Sequence, residues 1–172
     1  MASEPVPGAA RAGAHRAAAT QSQRGHGIRL GGLAVVLPVG EPVRYRVGVR
    51  VYPVPRAMPR LRGLMNVDGL PVPVFDVGPG DVLPLPVVAS LDVLVLREGA
   101  QAIALTGCGA PAPLVLRTSA AGGDPTDPFG IAREALEDVD TGQLWYTFSL
   151  DALIDSLAAL LPARPRSAGA HA

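Results

Sequence analysis

Apolar and polar residues alternate over several stretches of the chain, with the period of two that is typical of a half-buried strand. In Val43–Tyr52, every second residue from Val43 to Val51 is apolar, and three of the residues between them are arginine. This pattern predicts a mainly β protein in which one face of that strand is buried. Shorter apolar runs predict further strands at Leu33–Leu37, Leu91–Arg97, Gln101–Thr106, Leu114–Arg117, Phe129–Asp138 and Gln143–Phe148.

Two apolar runs flank the dipeptide Asp68-Gly69 in the segment Gly63–Asp76. A two-residue Asp-Gly link favours a type I′ turn, which needs positive φ at both central residues, and it is the strongest short-range hairpin signal. The segment therefore predicts a tight β-hairpin. Glycine-containing links at 98–100 and 140–142 predict two further hairpins.

One helix is predicted, at Asp151–Leu161, where leucine and isoleucine form a single apolar stripe. Ser149 or Asp151 is a suitable N-cap, and Pro162 ends the segment. Residues 77–90, which are rich in glycine and proline, are predicted as a crossover between two sets of hairpins. Hairpins on both sides of a crossover indicate two small barrels or sandwiches rather than a βαβ fold.

The two ends of the chain differ in composition from the middle. Residues 1–27 are rich in alanine, glycine and arginine and have no apolar run, so we expect a disordered tail there, and a second one at 162–172. A single folded domain is predicted for 28–161. No run approaches the roughly 18 consecutive apolar residues of a membrane span. With a single cysteine there is no disulfide framework, and we expect a cytoplasmic protein.

The formal net charge is zero, which gives no general argument for nucleic acid or an anionic membrane as a partner. All 15 basic residues are arginine. Residues 1–62 hold ten of them with only two acidic residues, whereas residues 63–172 hold five arginines and 13 acidic residues. Two interpretations remain open: complementary faces for head-to-tail association, or a basic tail beside an acidic domain. The arginines of 44–62 have only two tyrosines among them, too few stacking aromatics for a nucleic-acid site.

The sequence offers little for catalysis. A histidine in a flexible tail cannot be held within hydrogen-bond reach of a nucleophile, and no phosphate-binding, dinucleotide-binding or nucleophile-elbow motif is present. All three histidines lie in the predicted tails: His15, His26 and His171. We therefore expect that the protein is not an enzyme.

The remaining reactive side chains favour structural roles. Cys108 lies between two glycines, without a nearby lysine or histidine to stabilise a thiolate. Asp138 borders the predicted turn at 140–142, where its side chain can bond backbone amides. Asp81, Asp124 and Asp127 lack the spacing of a calcium-binding loop. We expect neither a metal nor a cofactor.

The hairpin segment resembles the signature of CheW-like domains, in which a glycine, apolar residues and an asparagine lead into the turn and a Pro-Val-apolar-Asp sequence follows it. Here the segment is Gly63-Leu-Met-Asn-Val-Asp-Gly-Leu-Pro-Val-Pro-Val-Phe-Asp76. The stretch that begins Gly142-Gln-Leu-Trp and ends Leu150-Asp-Ala-Leu is similar to the ending of CheW-like proteins of type IV pilus systems, which are called PilI-like. The resemblance covers residues 28–160.

The resemblance implies a fold of two intertwined five-stranded SH3-like β-barrels with a short C-terminal helix. It implies a bacterial adaptor of chemotaxis-type signal transduction, which couples the cytoplasmic tip of a methyl-accepting chemoreceptor to the regulatory domain of a CheA-type histidine kinase. Such an adaptor is a cytoplasmic scaffold, recruited to membrane-associated receptor arrays that control swimming or type IV pilus motility. The alternative is an all-β protein-binding module outside chemosensory arrays.

The resemblance also implies where partners bind. By position, the partner-binding residues lie on the first long strand and on the hairpin: Val43, Tyr45, Leu64, Asn66, Val67, Asp68 and Leu70. Packing in the core is the other role open to the apolar members of this set. Family members commonly carry an arginine at the position of Asp68, where it serves partner contacts. Aspartate reverses that charge, and it also suits the turn.

Overall fold

The structure, a computed structural model, describes residues 22–55, 59–82, 85, 87–120 and 125–159. These residues are mainly β, as predicted, and form ten strands and one α-helix. The strands are β1 (Gln23–Leu30), β2 (Leu33–Val36), β3 (Val43–Val51), β4 (Leu61–Val67), β5 (Leu70–Asp76), β6 (Ala89–Leu96), β7 (Ile103–Thr106), β8 (Ala112–Thr118), β9 (Ala132–Asp138) and β10 (Leu144–Phe148), and the helix is α1 (Leu150–Ala159).

The ten strands form two sheets of five strands each. The first sheet has the order β1-β2-β10-β9-β8 and closes into a barrel, because β8 also pairs with β1. The second has the order β3-β6-β7-β5-β4, and a bridge between Tyr52 and Leu64 joins its two outer strands near one end. Strands from both ends of the chain therefore share the first barrel, and the middle of the chain forms the second sheet.

The largest cluster of buried apolar side chains, which we call the central cluster, draws residues from both sheets and is dominated by leucine, isoleucine and phenylalanine. The second half of β6 is buried on both faces: Leu94 and Leu96 face this cluster, whereas Val93 and Val95 face the inside of the second sheet. The cluster inside the second sheet contains only valine, alanine and one methionine among its buried residues. A third cluster, from strands of the first barrel, contains Trp145 with three leucines, one valine and one alanine, so bulky side chains are not confined to the central cluster.

The predicted hairpin at 63–76 is confirmed. Asp68 and Gly69 both have positive φ, 50° and 87°, as a type I′ turn requires. The side-chain Oδ1 of Asn66 accepts a hydrogen bond from the Gly69 amide at 3.0 Å and fixes the turn. Gly63 must be glycine, since its φ is 152° and a Cβ atom would lie 2.1 Å from the carbonyl oxygen of Tyr52.

The predicted helix is also present, with its N-cap. It begins at Leu150, one residue earlier than predicted. The Oγ atom of Ser149 accepts a hydrogen bond from the amide of Ala152 at 3.2 Å, so Ser149 is the cap rather than Asp151. Leu153 and Leu157 bury the apolar stripe against the central cluster. The predicted C-terminal end of the helix lies outside the described residues.

The predicted start of the folded domain at residue 28 is wrong. Strand β1 begins at Gln23 and pairs with β2 on one side and with β8 on the other. Residues 23–27 therefore belong to the barrel, and His26 lies on a strand instead of in a tail. Apart from Ser22, the other predicted tail residues, including His15 and His171, lie outside the described residues.

The predicted alternation of buried and exposed residues along Val43–Val51 is also wrong. The pairing of β3 with β6 shifts between Arg46 and Val49, and at this bulge Val47 is 73% exposed instead of buried. Gly48 adopts a φ of 64°, and its amide donates to Oδ1 of Asp92 at 2.9 Å. A bulge on an outer strand disfavours pairing with a further strand.

Candidate functional site

A groove of about 630 Å³ lies along the boundary between the two sheets. Its walls come from β1, from β3, and from two of the connections that run from one sheet to the other, 37–41 and 110–111. We call it the inter-sheet groove. Its lining residues are Arg24, Gly25, His26, Leu37, Pro38, Val39, Glu41, Val43, Tyr45, Ala110 and Pro111.

The inter-sheet groove is lined by both apolar and charged side chains. Val39 is 94% exposed, the most exposed of the large apolar residues that the structure describes. Leu37 and Val43 connect this surface with the central cluster beneath it. Arg24 and Glu41 bring charges of both signs to the groove. An exposed apolar surface accompanied by polar side chains is typical of a protein-binding site.

Tyr45 combines packing with one polar contact at the groove. Its ring packs against the central cluster, and its hydroxyl donates to Oδ2 of Asp92 at 3.4 Å. Burial and the neighbouring Asp92 carboxylate raise the pKa of Tyr45 above its ordinary value. The phenol thus combines an apolar ring in the groove lining with a hydroxyl that is held by Asp92.

A second, smaller cavity of about 200 Å³ lies at the turn end of the 63–76 hairpin. We call it the hairpin-end cavity. Valine, alanine and leucine form its apolar part, and charged side chains from β3, from the hairpin turn and from the end of β6 complete it. The lining residues are Arg44, Arg46, Val67, Asp68, Leu70, Val95, Arg97, Glu98, Gly99 and Ala102.

The sequence-predicted site residues divide between these two places. Val43 and Tyr45 line the inter-sheet groove, and the hairpin residues Val67, Asp68 and Leu70 line the hairpin-end cavity. The two remaining residues line neither. Leu64 is 38% exposed beside Tyr52, and Asn66 holds the turn through its bond to Gly69.

Several lining residues were not predicted from the sequence. Val39 follows the apolar run Leu33–Leu37, and its position in a short proline- and glycine-flanked link was the available signal of an exposed apolar residue. Pro111 and Arg46 gave no such signal, because their places depend on the packing of distant strands. Arg46 was predicted only to lie on the polar face of its strand.

The cysteine and aspartate side chains considered in the sequence analysis have surroundings that favour roles in the fold over roles in chemistry. Cys108 is buried, and burial raises the pKa of its thiol to about 11, so the thiolate is scarce at neutral pH. The carboxylate of Asp127 accepts hydrogen bonds from the amides of Phe129, Gly130 and Ala132 at 2.7–3.0 Å and organises a turn. Among the described residues, no group of three potential metal ligands comes together.

Comparison with known proteins does not identify the chain. No protein-family model matches it, and no curated protein matches it either. The resemblance to CheW-like domains therefore remains a prediction. Within the described part of the chain, no helix has both the length and the apolar character needed to cross a membrane.

Proposed function

We propose that the protein is a CheW-like adaptor of bacterial chemosensory signalling, with two intertwined SH3-like β-barrels. It binds the cytoplasmic tip of a chemoreceptor and the regulatory domain of a CheA-type histidine kinase. It acts in the cytoplasm as a scaffold and makes or breaks no covalent bond itself. The inter-sheet groove is the observation that carries this proposal.

The arrangement of the sheets supports the proposal. Two intertwined barrels require strands from both ends of one chain to meet in a single sheet, and β1 and β2 pair here with β8 and β10. The middle five strands form the other sheet, whose outer strands meet at the Tyr52–Leu64 bridge. The hairpin that carries the family resemblance lies in this second sheet.

The shape and chemistry of the inter-sheet groove suit a helical partner. An amphipathic helix binds by placing its apolar face in a groove with apolar walls. Val39, Val43 and Pro111 offer such a wall, and Arg24 and Glu41 add charged side chains to the lining for contact with polar residues of the helix. The helical hairpin at the tip of a chemoreceptor is the occupant that we assign to it.

The proposed mechanism is geometric. Because connections 37–41 and 110–111 belong to the groove and also join the two sheets, a helix in the groove contacts both sheets at once. A change in the receptor alters these contacts, and the second sheet passes the change to a kinase domain bound elsewhere on its surface. The adaptor thereby makes kinase activity depend on the receptor.

The alternative, an all-β binding module outside chemosensory arrays, shares the groove but not the partners. Binding to a chemoreceptor tip separates the two. If the folded protein binds none of the receptor tips and none of the kinase regulatory domains from the same genome, the alternative is favoured.

Val39→Asp tests the groove directly. Val39 is almost fully exposed, so the substitution leaves folding unchanged while it places a charge on the apolar wall. We expect the affinity for the cytoplasmic tip fragment of a cognate chemoreceptor, measured by isothermal titration calorimetry, to fall about tenfold or more, the loss typical of an interface anchor.

The matched control is Val139→Asp. Val139 is also an exposed valine, 45% exposed, but it lies in the turn after β9 and outside the groove. It should bind the receptor tip like the unaltered chain. Equal losses in both variants would show that the groove is not the receptor site.

A further inference from the structure

Arg60, the residue before β4, holds the segment 76–80 with both its backbone and its side chain. Its φ is 68°, in the left-handed region that residues other than glycine rarely adopt. In this conformation its carbonyl oxygen accepts a hydrogen bond from the amide of Asp76 at 2.7 Å. The guanidinium contacts the same segment, because Nη1 donates to the carbonyl oxygens of Asp76 and Gly78 at 3.1 and 3.0 Å, and Nη2 donates to that of Gly80 at 3.4 Å.

The first barrel contacts this arrangement at two points. The guanidinium carbon of Arg60 lies over the ring of Phe129, 5.6 Å from its centroid, in the connection between β8 and β9. The amide of Gly31, in the turn between β1 and β2, donates to the carbonyl oxygen of Val77 at 2.5 Å. We call the contact region formed by Arg60, segment 76–80, Gly31 and Phe129 the Arg60 junction.

The barrel side of the Arg60 junction is closely packed. Phe129 is buried, and the carboxylate of Asp127 accepts hydrogen bonds from its amide and from two further amides within 130–132. A Cβ atom on Gly31 would lie 2.6 Å from Cγ of Pro128. The turn that carries Gly31 and the connection that carries Phe129 therefore form one packed surface, against which Arg60 and segment 76–80 are held.

The Arg60 junction and the inter-sheet groove lie at opposite ends of β1. Residues 24–26, near the start of the strand, line the groove, whereas Gly31 directly follows its last residue. No residue of the Arg60 junction lines the groove. The central cluster also joins the two sheets, but apolar burial is not directional, whereas hydrogen bonds require defined distances and angles. We therefore expect the Arg60 junction to fix how the second sheet is placed on the first barrel.

We propose that Arg60 is a positioning residue, whose guanidinium fixes segment 76–80 of the second sheet against Phe129 of the first barrel and so makes a change in one sheet reach the other. For signalling, the inference rests on the proposed function: the Arg60 junction passes the effect of a helix in the inter-sheet groove to the second sheet. Without the guanidinium, both sheets still fold and the groove still binds its helix, but the second sheet no longer responds.

Arg60→Asn tests the junction itself. Asparagine adopts the left-handed conformation more readily than most residues, so the substitution keeps the backbone and removes the guanidinium. Hydrogen exchange followed by NMR reports local opening. We expect the amides of Gly31 and Gly78 to exchange about tenfold faster or more, the effect of losing hydrogen bonds from a charged donor. The amides of Leu94 in β6 and Leu116 in β8 should keep their rates, because each sheet remains folded.

The matched control is Arg97→Asn, the same substitution at the other arginine with a left-handed backbone among the described residues. Its φ is 64°, and its guanidinium pairs with Asp151 and Glu41 instead of with segment 76–80. It should leave the exchange of Gly31 unchanged. Arg60→Lys should give an intermediate rate, because it keeps a cation over Phe129 but has one nitrogen where arginine uses two.

The signalling role is tested with the same Arg60→Asn variant. We expect it to bind the receptor tip like the unaltered chain in calorimetry, yet to lose the dependence of kinase autophosphorylation on the receptor's ligand in a reconstituted system. Arg50→Gln removes an exposed arginine of β3 that lines neither cavity, and it should preserve that dependence.

The outcomes separate the inference from the proposed function. Unchanged exchange at Gly31, or an equal acceleration at Gly31, Leu94 and Leu116, overturns the positioning role of Arg60. Faster exchange at Gly31 with undiminished ligand control of the kinase overturns its signalling role and leaves the adaptor function in place. If the unaltered chain gives no ligand control at all, the proposed function fails and the signalling role fails with it, while the exchange rates still decide whether Arg60 joins the sheets.

Discussion

At the scale of single residues, Asp138 is a buried carboxylate that is hydrogen-bonded within a turn. Its side chain is 4% exposed at the end of β9. The hydroxyl of Thr141 donates to Oδ2 at 2.5 Å, and this bond together with backbone amides of the turn lowers the pKa of Asp138 below its ordinary value. The contact at the turn was predictable from the sequence, because it joins neighbours in the chain. The burial was not, because it depends on the pairing of β9 with β8.

The lowered pKa predicts a pH dependence with a definite sign. The ionised carboxylate is favoured in the folded state, so Asp138 contributes stability above the pKa of the unfolded chain, about 4, and that contribution is lost as the pH falls through the lower folded pKa. Urea unfolding at pH 7 should find Asp138→Asn less stable than the unaltered chain. The difference should narrow below about pH 4. A gap that widens on acidification would contradict the assignment.

The same contrast between local and distant contacts holds at the cavities. Asp68 and Gly69 were predicted as turn residues from their own conformational preferences. Arg46 and Asp68 are 22 positions apart, and nothing in the sequence pattern brings them to one cavity. Only the sheet order, with β3 and β4 as its outer strands, does so.

At the scale of elements, β1 is the strand whose first residues could not be predicted from the sequence pattern. Its first residues, Gln-Arg-Gly-His-Gly, have neither alternation nor β-branched side chains. The strand forms because it pairs on both sides, and because Gly27 leaves room for the ring of Trp145. In contrast, the hairpin and α1 carry their own turn and cap residues and were predicted with nearly correct bounds. Tertiary pairing overrides local propensity in the first case.

Gly27→Ala tests the packing of β1 against the ring of Trp145. A Cβ atom at this position would lie 2.2 Å from Cζ3 of Trp145, so the ring or the strand must move. Overpacking of this kind costs about 1–3 kcal/mol. Chemical denaturation followed by the fluorescence of Trp145, the sole tryptophan, measures the loss.

Gly25→Ala is the matched control on the same strand. A Cβ atom at position 25 would lie 3.2 Å from the nearest side-chain atoms, which belong to Leu116 and Val36. Small shifts of these flexible side-chain ends can accommodate a methyl group. A loss as large as that of Gly27→Ala would show that β1 needs glycine for reasons other than the tryptophan ring.

At the scale of the whole molecule, the inter-sheet groove is a product of the chain path. It combines β1, β3 and two connections that are far apart in sequence. A mainly β fold in two sheets was predictable from periodicity and turn signals, since both are local. The groove was not, because its walls meet only when the two ends of the chain close the first barrel around the middle strands. The adaptor proposal depends on this arrangement, since one bound helix then contacts both sheets.

Reconstitution of receptor control over the kinase is the decisive test of the proposed adaptor function. The full-length chain would be added to a cognate chemoreceptor in membranes and its CheA-type kinase, and kinase autophosphorylation would be followed with and without the receptor's ligand. We predict that the ligand changes the rate only when the chain is present, and that Val39→Asp abolishes this dependence while Val139→Asp preserves it. A ligand response that is the same with and without the chain would exclude the adaptor function.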